Sequence, residues 1–337
     1  NTVGQDVALA IASIPAGEQV VITLTTRLAN NASSDAGTSF TNTATYTYTG
    51  IGAPIPGSTS GALLIVEPLT DITKDVIPNT PPSAGDILTY RLSFTASGGA
   101  AGDEFSDVYD LRIDDSLSLG LAYVPGTATV DGAGNTIIDP VVAGDGINVA
   151  QTLLWRLEDS TADIDIVENT TVTVTYNVLV LDGVLAGQDL TNSATSQWTG
   201  IDQIIGDPVN PDERNGSAVP AVNDYFNGPV TTLLTVPDNT TLNKTRISDT
   251  FDGTDDVRVG DVITYTLAVS LDEGSHSQLV LTDQLPQGMQ FEGVLNVNGE
   301  TVAPYAAAAP FSHTAIAAPV ITGDALTGTT ITWSLGD

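Results

Sequence analysis

The chain of 337 residues is long enough for two or three domains with hydrophobic cores, and it carries 41 Asp and Glu against 9 Lys and Arg, a net charge of −32. A field of that sign repels nucleic acid and anionic membrane surfaces, which removes both as partners, while it suits high salt or divalent cations held between carboxylates. Cysteine is absent, which excludes disulfides and thiolate chemistry, and no apolar run reaches transmembrane length. No basic-then-apolar leader opens the chain, so residue 1 is read as a processed or internal position of a secreted protein. Solubility alone is the plainer explanation of the charge.

In chain order, period-two alternation predicts half-buried strands at residues 20–28 (VVITLTTRL), 87–94 (ILTYRLSF), 171–181 (TVTVTYNVLVL) and 262–271 (VITYTLAVSL). Turns rich in Gly, Pro and Asp separate them, and long Leu/Glu/Lys helical patterns are missing. The expected class is all-β, a β-sandwich.

Internal repetition organises these elements. FTNTATYTYTG (40–50) matches LTNSATSQWTG (190–200) at a constant offset, and residues 20–28 and Glu18 match residues 170–178 and Glu168 at the same offset. A second set repeats farther on. ITKDV (72–76) answers to LNKTR (242–246), AGDILTYRLSF (84–94) to VGDVITYTLAV (259–269), IDDSLSLGLAYV (113–124) to LTDQLPQGMQFEG (281–293), and LLWRLED (153–159) to ITWSLGD (331–337). The spacing drifts between matches, which places length differences in loops. The predicted organisation is the C-terminal half of a module at residues 1–67, a complete module at 68–237, and the N-terminal part of a further module at 238–337. Two origins fit: one period cut from a tandem array, or a subunit whose split sandwich is completed by strand donation from its neighbour, giving head-to-tail, non-closing contacts.

The order Lys, GDxxTYxL, TDxLPxGxxF, a Trp strand and TNxATxxxxG resembles the "conserved repeat" domain of bacterial surface proteins (domain of unknown function 11). It is also similar to the related fimbrial domains that form internal isopeptide bonds. The resemblance covers nearly the whole chain, although the TDxLPxG segment is intact only in the trailing half and reads DDSLSLG (114–120) in the central module. It implies tandem Ig-like β-sandwich modules strung along a cell-surface fibre, stalk or large adhesin.

The chain has two lysines, Lys74 and Lys244, and they occupy equivalent repeat positions. Each module also places an acid at the repeated TD position, Asp115 or Asp283, and an Asn at the start of its last repeated strand, Asn42 or Asn192. These are the groups a spontaneous amide crosslink requires. Burial lowers a lysine pKa and yields a neutral amine nucleophile, while a protonated Asp polarises the Asn carbonyl and passes a proton to departing ammonia. The expected bond joins Lys74 to Asn192, assisted by Asp115. Lys244 and Asp283 then await an Asn from elsewhere, and Asn42 awaits a Lys; in a strand-swapped filament Lys244 of one subunit meets Asn42 of the next. The plain alternative is a Lys–Asp salt bridge at a strand edge with Asn capping a turn.

The stretch DPVNPDERNGSAVPAVNDY (207–225) offers Asp212, Glu213, Asn223 and Asp224 as hard oxygen ligands, and calcium at an inter-module joint is the expected cofactor. SDTFDGTDD (248–256) and DSTADID (159–165) are further candidates; neither has the spacing of an EF-hand, and solvated turn carboxylates are the plainer reading there. His276 and His313 have no acid partner at matching repeat positions, so no serine triad is expected, and no pair of carboxylates is singled out for glycoside hydrolysis. Trp155 and Trp333 are repeat equivalents and are assigned to the core; Trp198, whose counterpart is Tyr48, is left as a candidate exposed ring for a sugar. The expected function is extracellular, structural and non-enzymatic, with copies of itself or neighbouring repeats as partners. A calcium-dependent adhesin binding a surface or glycan ligand is the alternative.

Overall fold

The computed structural model describes residues 7, 9–49, 55–96, 105–132, 134–156, 158–159, 162–202, 214, 225–249, 256–271, 276, 278–294, 296–297, 300–301 and 318–335. Among these residues every regular element is a strand. In chain order they are β1 (Ser39–Phe40), β2 (Thr43–Tyr46), β3 (Ile55–Thr59), β4 (Leu63–Leu64), β5 (Asp71–Ile77), β6 (Ile87–Thr95), β7 (Tyr109–Leu117), β8 (Leu121–Tyr123), β9 (Thr129–Val130), β10 (Val141–Ala143), β11 (Thr152–Arg156), β12 (Glu158–Asp159), β13 (Ala162–Asp163), β14 (Thr171–Val180), β15 (Asp189–Thr199), β16 (Phe226–Thr235), β17 (Thr241–Asp249), β18 (Ile263–Ser270), β19 (Val280–Leu285), β20 (Asn296–Val297), β21 (Glu300–Thr301), β22 (Val320–Asp324) and β23 (Gly328–Ser334).

The chain divides into two compact units. The first comprises residues 1–80, 85–181 and 190–234; the second comprises 81–84, 182–189 and 235–337.

At the heart of the first unit is an Ig-like sandwich of two antiparallel sheets. One sheet runs β5-β6-β14-β8, with β9 also on β14, and the other runs β10-β11-β7-β15-β16. The alternation in the sequence sets which side chains meet between the sheets. From β6, Leu88, Tyr90, Leu92 and Phe94 are buried; from β14, Val172, Val174, Tyr176, Val178 and Val180. The second sheet supplies Leu111, Ile113, Leu153, Trp155, Leu190 and Ala194. Burial of each large apolar side chain contributes about 1.5–3 kcal/mol, so truncating one, as in Leu92→Ala, costs about 2–5 kcal/mol. Polar residues between them face outward, where Thr95–Thr171 and Thr129–Thr175 hydroxyl pairs lace neighbouring strands. Gly228, at φ +104°, lets β16 approach β15, since a Cβ there would lie 2.8 Å from the Ala194 carbonyl oxygen.

Residues 20–28, predicted as a strand, are not in a sheet, and Val20, Val21, Ile22, Leu24 and Leu28 are exposed. A strand persists only when its N–H and C=O groups find neighbouring strands. Their repeat counterpart β14 finds them in β6, β8 and β9; residues 20–28 have no such neighbours among the described residues. Just downstream, β1 pairs with β4 and β2 with β3, each on a single edge among the described residues.

In the second unit, β17 pairs with β18, and β19, β23 and β22 form a three-stranded sheet in the order β19-β23-β22. These are the repeat counterparts of β5, β6, β7, β11 and β10.

Candidate functional site

The two sheets of the central sandwich bring Lys74, Asp115 and Asn192 to one point. Lys74 lies on β5 opposite Leu92 of β6, and its side chain is fully buried. Asp115 of β7 faces Ala194 of β15, while Asn192 lies two residues back on β15, opposite Leu117. The period of two therefore puts Asp115 and Asn192 on the same inward face, as diagonal neighbours. The Lys74 ammonium donates to Asp115 Oδ2, to Asn192 Oδ1 at 2.6 Å and to Tyr176 Oη at 3.2 Å. Tyr176, from β14, donates its hydroxyl to Asp115 Oδ2 at 2.5 Å and accepts from Asn192 Nδ2 at 3.0 Å. Both ends of the Asn192 amide are thus held, one by the amine and one by the phenol.

The surroundings are aromatic. The Lys74 nitrogen lies 5.3 Å from the Tyr90 ring centre and 5.9 Å from that of Tyr176. Trp155 packs 5.1 Å from the Tyr176 ring, and Tyr123 lies 6.2 Å from it. Among these rings burial outweighs the attraction of the Asp115 carboxylate and lowers the Lys74 pKa to about 8. Burial also raises the Asp115 pKa, against the pull of Lys74 and Tyr176. Asp115 Oδ1 is buried with no hydrogen-bond partner, an arrangement that costs less for a neutral acid than for a carboxylate. Both partners are driven towards a neutral amine beside a neutral acid. The same contacts can serve a permanent buried pair, or place an amine nucleophile against an amide whose carbonyl oxygen and nitrogen are both polarised.

Tyr176 is the member that sequence reasoning missed. It sits in TVTVTYNV as one more inward side chain of a buried strand, and its repeat counterpart is Thr26. The available signal is a lone tyrosine among valines, at a depth where a hydroxyl needs a partner.

Lys244 and Asp283 also meet: Lys244 Nζ donates to Asp283 Oδ1 at 2.5 Å and lies 4.7 Å from the Tyr265 ring centre, the counterpart of Tyr90. This pair is more open, with side-chain exposures of 34% and 12%. Asn42 is exposed; its backbone N–H donates to Ser60 Oγ at 2.9 Å, and its carbonyl accepts from the Ser60 N–H at 2.8 Å.

Asp212, Glu213, Asn223 and Asp224, the expected calcium ligands, lie outside the described residues, as does His313. Among the described residues no group of three or more His, Asp or Glu side chains is placed to hold a metal. Arg214, between those ligands in sequence, is buried and donates to Glu67, to Asn30 Oδ1 at 3.0 Å, to the Asn31 carbonyl at 2.9 Å and to Asp35 Oδ1 at 3.1 Å. A guanidinium therefore supplies positive charge to Asp35 and Glu67. Asp165 experiences the opposite: burial and the nearby charges of Asp163, Asp202 and Asp107 raise its pKa to about 6.

Trp155 is buried in the core as expected. Trp198 is buried too, which corrects its reading as a candidate exposed ring. Its indole N–H donates to the Pro68 carbonyl at 3.2 Å and its ring stacks on Tyr225 at 6.2 Å. Tyr225 and Pro68 come from segments far from Trp198 in sequence, so the repeat comparison with Tyr48 carried no sign of them.

No family model and no curated protein sequence matches the chain. Among solved structures it is similar to the T6 backbone pilin of serotype M6 Streptococcus pyogenes, at 15% identity over 74% of this chain and 63% of that one, with a TM-score of 0.30. It is also similar to a C-terminal fragment of the major pilin GBS80 of Streptococcus agalactiae, at 14% identity over 80% and 76%, TM-score 0.28. A third is the pilus backbone RrgB of Streptococcus pneumoniae, at 17% identity over 39% of this chain and 32% of that one, TM-score 0.26.

Proposed function

We propose that this chain is an extracellular structural module of a cell-surface fibre or stalk, and that Lys74 and Asn192 join as an internal amide which closes the central sandwich. The observation that carries the reading is the Lys74 nitrogen held 2.6 Å from Asn192 Oδ1, with the buried Asp115 beside both. In the proposed step the neutral amine attacks Asn192 Cγ, a C–N bond forms, and the bond to Nδ2 breaks. Asp115 relays the proton from the amine to Nδ2, which leaves as ammonia. The bond links β5 of one sheet to β15 of the other, so force pulling the sheets apart would meet a covalent bond. That suits a chain without cysteine in a fibre under tension.

The burial of Trp198 takes away the exposed ring on which a sugar-binding reading leaned, so the structural reading is preferred. Calcium at Asp212, Glu213, Asn223 and Asp224 is proposed on donor chemistry alone; a melting temperature unmoved by EDTA would remove it. The amide is tested by intact mass after denaturation. The expected mass is below the sequence mass by one ammonia, and Lys74→Met restores the full sequence mass. An unmodified mass for the wild-type chain refutes the bond.

A further inference from the structure

A side-chain amide apart from the Lys74 site is also set against a nucleophile. Asn227 and Gly228, near the start of β16, form an Asn-Gly pair. The Asn227 side chain is held at both ends: Nδ2 donates to the Thr70 carbonyl at 2.7 Å, and Oδ1 accepts from the Gly228 N–H at 2.7 Å. Thr70 is buried and directly precedes β5. The amide therefore ties the entry of the first strand of the central sandwich to β16.

The contact with Gly228 is a reactive geometry as well as a hydrogen bond. A carbonyl bond is about 1.2 Å long, so the Gly228 nitrogen stands at most about 3.9 Å from Asn227 Cγ. That is near the roughly 3–3.5 Å of a near-attack arrangement. Packing requires glycine at 228, since a Cβ would lie 2.8 Å from the Ala194 carbonyl oxygen. The missing side chain also leaves the nitrogen free to approach Cγ and close a five-membered ring. Both residues are half-buried, so water reaches the pair.

We propose that Asn227 is a self-modification site, which converts spontaneously to an aspartyl or isoaspartyl residue and in doing so unties Thr70. The Gly228 nitrogen, once deprotonated by hydroxide, attacks Asn227 Cγ. A C–N bond forms, the Cγ–Nδ2 bond breaks, and Nδ2 takes a proton from water and leaves as ammonia, so the step consumes no net hydroxide. Water then adds to one of the two carbonyls of the resulting succinimide, and the ring C–N bond breaks to leave a carboxylate. The buried Thr70 carbonyl loses its donor and faces a negative charge, and the isoaspartyl route adds a methylene to the backbone of β16. The chemistry is independent of the amide proposed at Lys74. The succinimide is also short of one ammonia, but it lies on a linear peptide, whereas the Lys74–Asn192 bond gives a branched one.

The test incubates the full chain folded at mildly acidic and mildly alkaline pH, and unfolded in urea at the same alkaline pH. Peptide mapping by mass spectrometry follows each sample, with a parallel set in heavy-oxygen water. The peptide spanning Asn227 is expected to gain one mass unit, to split into two isomers and to take up one solvent oxygen. Conversion is faster at alkaline pH, because only the deprotonated nitrogen attacks, and faster in the folded chain than in urea, because the fold holds the reacting atoms together. Asn227→Gln, whose longer side chain would have to close a six-membered ring, stays unconverted. Asn227→Asp reproduces the converted state: it melts about 2–4 °C lower and is cut faster by protease at residues 65–70. Conversion that is slower in the folded chain than in urea overturns the site. Unchanged melting together with unchanged proteolysis in Asn227→Asp overturns the untying of Thr70.

Discussion

The proposed internal amide has a size that a thermodynamic cycle can isolate. Lys74 and Asn192 are 118 residues apart in sequence. Closing a loop of that length removes denatured-state entropy worth about 5 kcal/mol at 25 °C. For a unit of this size that is roughly 10–20 °C in melting temperature. Either Lys74→Met or Asn192→Ala abolishes the bond, so each single variant loses the full amount plus its own non-covalent contacts, and the double variant loses the crosslink only once. The coupling in a double-mutant cycle, measured by urea unfolding, is expected near 5 kcal/mol. A hydrogen bond between a buried ammonium and an amide would give at most about 3 kcal/mol. A coupling at or below that figure, with the wild-type mass unmodified, refutes the crosslink and leaves a static polar cluster.

Three further outcomes follow from the same geometry. In Asn192→Ala, Lys74 stays unbonded with its pKa lowered from 10.5 to about 8; between pH 8 and 9 the unfolded chain then binds more protons than the folded one, so stability rises by on the order of 1 kcal/mol, and a flat urea midpoint contradicts the lowered value. Tyr176→Phe keeps the ring that packs on Trp155 but releases Asp115 and Asn192 from its hydroxyl; it is expected to fold and to mature slowly, showing both masses in freshly made protein, whereas full crosslinking at the wild-type rate removes Tyr176 from any positioning role. Arg214→Ala leaves Glu67 and the exposed Asp35 without their guanidinium and is expected to cost about 1 kcal/mol, with faster proteolysis near residues 30–35; unchanged protection there contradicts the clamp.

The inward strands of the central sandwich were legible because alternation fixes which side chains face the core. Lys74, Asp115 and Asn192 were legible because a rare residue recurred in register with an acid and an amide. Residues 20–28 show where pattern stops being enough: their alternation is as regular as that of β14, but strand formation depends on a neighbour that the local sequence does not contain. Tyr176 was hidden by its own context, a hydroxyl on a face otherwise read as apolar. Trp198 and Arg214 were misread or overlooked because their partners, Tyr225 and Pro68 for one and Asp35 and Glu67 for the other, are distant in sequence and follow no repeat.

Proteolysis of the denatured chain followed by sequencing of the fragments by mass spectrometry addresses the covalent closure directly. One branched peptide should contain the segment around Lys74 joined to the segment around Asn192 through their side chains, short of one ammonia. Recovery of the two segments only as separate, unmodified peptides would contradict it.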